Sequence, residues 1–287
     1  MLWLRRALLA GIALCLLFII ISLAAFHLVP IEIIEARLKE EAEARAGLTV
    51  TEQSLMRTYP AGIEAEGVDM ALKGKEPFIH IDNMVAWPDY MGLLSGKVRF
   101  SYAGAIENGV IKGRAGFGLL GGSQIRLEAD GVPISAVPAI NRFVTGLRGS
   151  FSGTAEVSMK GDGRCPSGFA EFRSDDLKGG KVSLRGIPLS VGSIGDAGLD
   201  ARFSECRVDV KGLWLDGSDL SLRIDGKIKV EKPLNKSPLD LTLELVPKKP
   251  LFRGESDVLA VLRRFQGSAN YFKVPVRGTL GSPALGG

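Results

Sequence analysis

Histidine is scarce in this chain: two residues in 287, His27 and His80. Aromatic residues make up 7% and cysteines number three. A Ser–His–Asp site would have to use His80, because His27 borders an apolar run. His80 stands in Phe78-Ile79-His80-Ile81-Asp82, which alternates like a strand, and reads as a satisfied strand histidine. Beyond the apolar run, two Cys and one His are too few for an ordinary structural zinc set. There is no Gly-x-Ser-x-Gly and no P-loop. The string Gly116-Phe117-Gly118-Leu119-Leu120-Gly121 imitates a dinucleotide fingerprint, but without a βαβ setting it reads as turns. Asp175-Asp176, beside Lys178-Gly179-Gly180, reads as a solvated turn. Lys and Arg number 36 against 32 Asp and Glu, and no basic run is dense enough to point to nucleic acid. No catalytic, cofactor-binding or metal-ligating residue is therefore assigned, no cofactor is expected, and an enzyme is the least favoured class.

What is present begins with an apolar run. Ala7 to Val29 carries no charged side chain. It exceeds the roughly 20 residues that a helix needs to cross a bilayer. Backbone groups in lipid must pair internally, so such a run is predicted to be helical. Arg5 and Arg6 precede it and favour a cytoplasmic N-terminus, with the remainder exported. The competing reading is a cleaved signal peptide, for which Ser22-Leu23-Ala24-Ala25 offers small residues. The run is longer than a signal h-region of about 7–15 residues, which favours an uncleaved anchor.

Pro30 to Gly47 reads as a connecting helix. Pro30 suits a first turn, Gly47 a terminus, and Ile31, Ile34, Leu38 and Ala42 recur at helical spacing. Glu35 and Lys39 form an i,i+4 pair.

After Gly47 the period becomes two. Apolar and polar residues alternate through 97–102, 124–129, 155–160, 199–204, 207–211, 220–225, 227–230 and 239–245. Asn108-Gly109, Gly121-Gly122, Asp216-Gly217-Ser218 and Asp225-Gly226 read as turns between strands. Short connections make neighbouring strands antiparallel. Pro133 to Phe143 and Ser256 to Phe265 read as short amphipathic helices, the second with Ser256 as N-cap. Met84 to Leu94, interrupted by Trp87-Pro88, reads as a loop or short turn. The fold expected is mainly β: a transmembrane helix, then an elongated antiparallel, twisted or folded-over sheet with short flanking helices. Its parts are 1–29, a cytoplasmic tip and membrane anchor; 30–47, the connecting helix; and 48–287, one periplasmic β-rich domain. A division near residue 145 is the alternative.

One face of such a sheet is apolar throughout and has to be covered. Candidate residues of an apolar groove are Val98, Phe100, Tyr102, Ile125, Leu127, Val157 and Met159, followed by Leu220, Leu222, Ile224, Leu239, Leu241, Leu243 and Leu245. The plain alternative is an ordinary core. A groove would hold acyl chains without a specific polar contact, since burial yields roughly 25 cal/mol per Å2. Cys15 lies inside the apolar run, whereas Cys165 and Cys206 lie in the exported part, where an oxidising compartment permits either a disulfide or two free thiols.

Two short stretches carry a resemblance. Tyr271-Phe272-Lys273-Val274-Pro275-Val276-Arg277-Gly278-Thr279-Leu280-Gly281-Ser282-Pro283 resembles the closing element of the GspN family of bacterial type II secretion systems, and also that of AsmA-like periplasmic proteins. Thr58-Tyr59-Pro60-Ala61-Gly62-Ile63 is similar to an early segment of the GspN family. The GspN resemblance implies a bacterial inner-membrane protein projecting into the periplasm, with other secretion-system subunits as partners and a structural or assembly role. The AsmA-like resemblance implies a β-groove that handles lipid acyl chains. Neither implies a catalytic residue.

Overall fold

A computed structural model of the chain describes residues 27–43, 47–72, 74, 76–89, 97–118, 122–137, 144–159, 165–174, 176–184, 187–231, 234–248, 263–268 and 270–286. Most of the predicted anchor, residues 7–26, lies outside them. No helix among the described residues is long and apolar enough to cross a membrane.

The described chain opens with α1 (Ile31–Glu41), preceded by Pro30. It carries Ile31, Ile34 and Leu38 of the predicted apolar stripe but ends at Glu41, short of the predicted Gly47, with residues 44–46 outside the described residues; Lys39 lies 2.7 Å from Glu35 one turn away. Lys39 also lies 2.8 Å from Glu52, which ties the helix to the segment that follows.

After α1 the described residues form strands, turns and short 3₁₀ segments. The strands are β1 (Leu48–Thr51), β2 (Ser54–Thr58), β3 (Gly62–Leu72), β4 (Pro77–Asp89), β5 (Lys97–Ile106), β6 (Gly109–Gly118), β7 (Ser123–Pro133), β8 (Val144–Thr145), β9 (Ser150–Met159) and β10 (Pro166–Ser174). They continue as β11 (Lys181–Leu184), β12 (Ile187–Ser190), β13 (Ile194–Ser204), β14 (Arg207–Gly217), β15 (Leu220–Lys229), β16 (Leu239–Pro247), β17 (Gln266–Ser268), β18 (Tyr271–Thr279) and β19 (Ser282–Leu285). Sixteen of them form one open antiparallel sheet, ordered β1-β3-β4-β5-β6-β7-β9-β10-β13-β14-β15-β16-β18-β17, with β2 on β3 and β19 on β18. The remaining three form a small sheet, β12-β11-β8.

Three sequence expectations are corrected. Met84 to Asp89 is the end of β4, not a loop, with Trp87 opposite Ser101 and Pro88 opposite Phe100. Proline is tolerated there because β3 pairs with β4 only as far as Ala86, so the outer side of Pro88 needs no N–H. Asp225-Gly226 is not a turn but the middle of β15, with Gly226 opposite Leu241 on β16. Gly226 has φ +135°, and a Cβ there would collide with the Asp240 carbonyl; the glycine serves a close approach of two strands. Of the stretch from Pro133, the described residues begin with the last residue of β7 and hold a 3₁₀ turn, Ile134–Ala136. Residues 138–143 and 256–262 of the two predicted helices, and 90–94 after β4, lie outside the described residues; Arg263–Phe265 is a 3₁₀ turn.

The core follows the sheet in three clusters. The first joins β3 to β10 and includes Ala65, Val68, Ile81, Ile106, Ile111 and Val132. In the second, Ile134, Leu147, Leu177 and Val191 pack against Ile194 and Ala197 of β13. The third unites β15, β16 and β18 through Leu220, Leu243, Leu245, Phe272 and Val274, with Leu189 of β12. Phe151 packs against the first two clusters, and Leu222 against the second and third. The small sheet and the segments beside it thus cover part of the apolar face of the large one.

Candidate functional site

The pairing registers line up residues from separate hairpins. One row runs Phe100, Ala115, Ile125, Val157, Gly168, Phe203, Val208, Ile228, Leu239, from β5 to β16. Side chains opposite one another share a face. This row is therefore continuous across the apolar side.

Exposure changes along it. Phe100 is 36% and Ile125 42% exposed; Leu239, at the far end, is 7% exposed. Val157, Phe203, Val208 and Ile228 are half-buried between them. Next to Phe100, Val98 pairs with Phe117, which is 37% exposed, and half-buried Met159 stands level with them opposite Ser123. Phe100, Phe117 and Ile125, with Val98, Val157 and Met159, form an open apolar patch on β5, β6, β7 and β9. At about 4.8 Å between strands it is roughly 14 Å wide.

The residues singled out from the sequence thus divide. Leu220, Leu239, Leu243 and Leu245 are buried core, and Leu222, Ile224 and Leu241 pack against the same cluster. Their coverage comes from Leu189 of β12 and from β18, partners far away in sequence. Leu127 packs against the first cluster. Tyr102 is opposite Gly113, and its hydroxyl donates to the Arg126 carbonyl at 2.9 Å. Burial pushes that phenol up to about 12. A Cβ on Gly113 would run into the Tyr102 ring, so the glycine makes room for it. Sequence reading passed over Phe117, whose glycine neighbours suggested a turn; the signal that would have found it is its alternation with Ala115 and Gly113 on one face.

The chain's N-terminal part joins the sheet near this patch. The β2–β3 turn, Tyr59-Pro60, is held to the start of the described chain: the His27 ring Nε2 lies 2.9 Å from the Pro60 carbonyl, and Arg57 donates to the His27 carbonyl at 2.7 Å. Ile63, just past that turn, is opposite Ala86, and Ala86 is opposite Tyr102 of β5. The turn is thus two strand spacings, about 10 Å, from the strand that bears Phe100 and Tyr102.

Polar groups elsewhere serve structure. His80 Nδ1 is 2.7 Å from the Asp69 carboxylate across the β3–β4 pair, and its Nε2 lies 3.6 Å from Asp82. Among the described residues no group of three His, Cys, Asp or Glu is arranged to hold a metal ion. Asp176 accepts from the Ser150 backbone N–H, and from the Ser174 and Ser150 hydroxyls; these bonds, the Ser150 N–H foremost, hold its carboxyl below the usual range. Asp175 lies outside the described residues. Cys165 and Cys206 are joined in a disulfide.

Comparison with protein-family models, with curated proteins and with solved structures finds no match for this chain.

Proposed function

We propose that this protein is a membrane-tethered β-sheet that accepts lipid acyl chains on the open part of its apolar face, without chemistry of its own. The observation that carries the reading is the position of the Phe100–Phe117–Ile125 patch: exposed, apolar, and with its nearest strand, β5, about 10 Å from the turn to which His27 is bonded. In this reading the run Ala7–Val29 is the anchor, with Arg5 and Arg6 on the cytoplasmic side. An acyl chain laid on the patch would follow the row toward half-buried Phe203 and Val208. Each methylene withdrawn from water contributes about 0.8 kcal/mol. Contact along a dozen methylenes gives on the order of 10 kcal/mol before the cost of immobilising the chain. The disulfide agrees with an oxidising compartment such as the periplasm.

The test is a version starting at His27, purified and assayed by mass spectrometry for co-purified lipid and for uptake of a fluorescent fatty acid. Uptake that Ile125→Asp abolishes supports the proposal. A lipid-free protein that takes up nothing sinks it.

A second reading, a structural subunit of a type II secretion system, draws support from the closing segment. Residues 271–283, which carry the resemblance to the GspN family, form β18, the turn to β19 and the start of β19 on the outer side of the sheet. Neighbouring genes for other secretion-channel components would favour it; their absence would count against it.

A further inference from the structure

We infer that the β2–β3 turn and the residues bonded to it form a foot that sits in the headgroup region of the bilayer, with Tyr59 as its interfacial anchor. The inference rests on the reading of Ala7–Val29 as a membrane span and specifies how the sheet is seated on that span. Tyr59 is 93% exposed, Leu28 81%, Ile33 53% and Met56 47%. Large apolar side chains gathered this openly mark a contact surface. Leu28, Met56 and Tyr59 each adjoin in sequence a residue of the two hydrogen bonds that fasten the turn to His27.

The occupant follows from continuity. Leu28 and Val29 are the last residues of a run without charge that begins at Ala7, so the surface beside them adjoins whatever surrounds that run. For a membrane span that surroundings is lipid. Tyrosine suits the boundary because its ring is apolar and its hydroxyl hydrogen-bonds to water or headgroups. A turn facing only water gains nothing from a phenol ring that is 93% exposed.

The experiment uses the full chain with Cys15→Ala and the disulfide intact, reconstituted in nanodiscs of phosphatidylcholine and phosphatidylglycerol. A spin label is placed at Tyr59→Cys in one sample. In another it is placed at Leu280→Cys, an exposed residue in the β18–β19 turn at the opposite edge of the sheet. Collision with oxygen and with a water-soluble nickel chelate is read for each. The expected result is several-fold lower nickel collision at position 59 than at 280, with oxygen collision retained. Equal nickel collision at both positions, in protein that co-elutes with the nanodisc, overturns the foot and leaves the tether standing. Low collision with both reagents at position 59 means that protein covers the turn, and also overturns it. Failure to co-elute removes the tether and the foot together.

Discussion

Cys165 and Cys206 lie three residues beyond the Gly168–Phe203 pair, on the β10 side and in the β13–β14 turn, and their sulfurs are bonded. They close the ladder between β10 and β13, neighbours whose connection passes through β11 and β12 of the small sheet rather than a tight turn. The bond therefore adds a covalent link across a seam that no tight turn joins.

Breaking that bond should loosen the seam. The two residues are 41 apart in sequence, a loop whose closure entropy is worth roughly 4 kcal/mol. Cys165→Ser with Cys206→Ser should lower unfolding free energy by about 2–4 kcal/mol in a urea titration. An unchanged midpoint would show that the seam is held without it.

Gly226 and Gly195 should part company when each becomes alanine. A Cβ at Gly226 would strike the Asp240 carbonyl and demand a left-handed φ; at Gly195 it would meet nothing within 4 Å. Gly226→Ala should cost about 1–3 kcal/mol, while Gly195→Ala should stay within roughly 0.5 kcal/mol of the parent. Equal thermal stability for the pair would contradict the close approach of β15 and β16.

The two ends of the apolar row should answer different assays. Leu243 is 7% exposed within the third core cluster, and Leu243→Ala should destabilise by about 2–5 kcal/mol. Ile125 is 42% exposed, so Ile125→Asp should leave the melting temperature nearly unchanged and remove acyl uptake. Loss of folding in Ile125→Asp would mark that end as core as well.

Acid should release the segment that covers the apolar face. The Asp176 carboxyl, held below its ordinary value by the Ser150 N–H and then by the Ser174 and Ser150 hydroxyls, favours the folded state while ionised. That contribution is complete above the unfolded value of about 4 and is lost as pH falls through the lower folded value. Amide exchange at Leu177 and Val191 should therefore rise below about pH 4. Asp176→Asn should show faster exchange already at neutral pH, with a flatter acid dependence.

The sequence made the strands legible because alternation is a local signal, and each of the eight alternating runs lies within or largely within a strand. Gly226 misled because a glycine after aspartate looks the same whether it turns a chain or lets two strands approach. Pro88 misled because the reason for its tolerance, the early end of the β3 ladder, lies on another strand. The partition of the apolar face was not legible at all. Leu239 and Phe100 belong to one row, and only the arrival of β12 and β18 beside β16 buries the former.

The sheet's borders set its size. The outer side of β3 is occupied by two short strands, β1 and β2, and that of β18 by β17 and β19. Further rungs therefore have no long, flat template to add to. Between these stops nearly every strand touches only its sequential neighbours, so the assembly behaves like a ladder with a countable number of steps. Inserting or deleting one internal hairpin would change the ladder by about 9–10 Å while leaving both stops in place. Reach is thus a quantity that heredity can adjust in units of two strands.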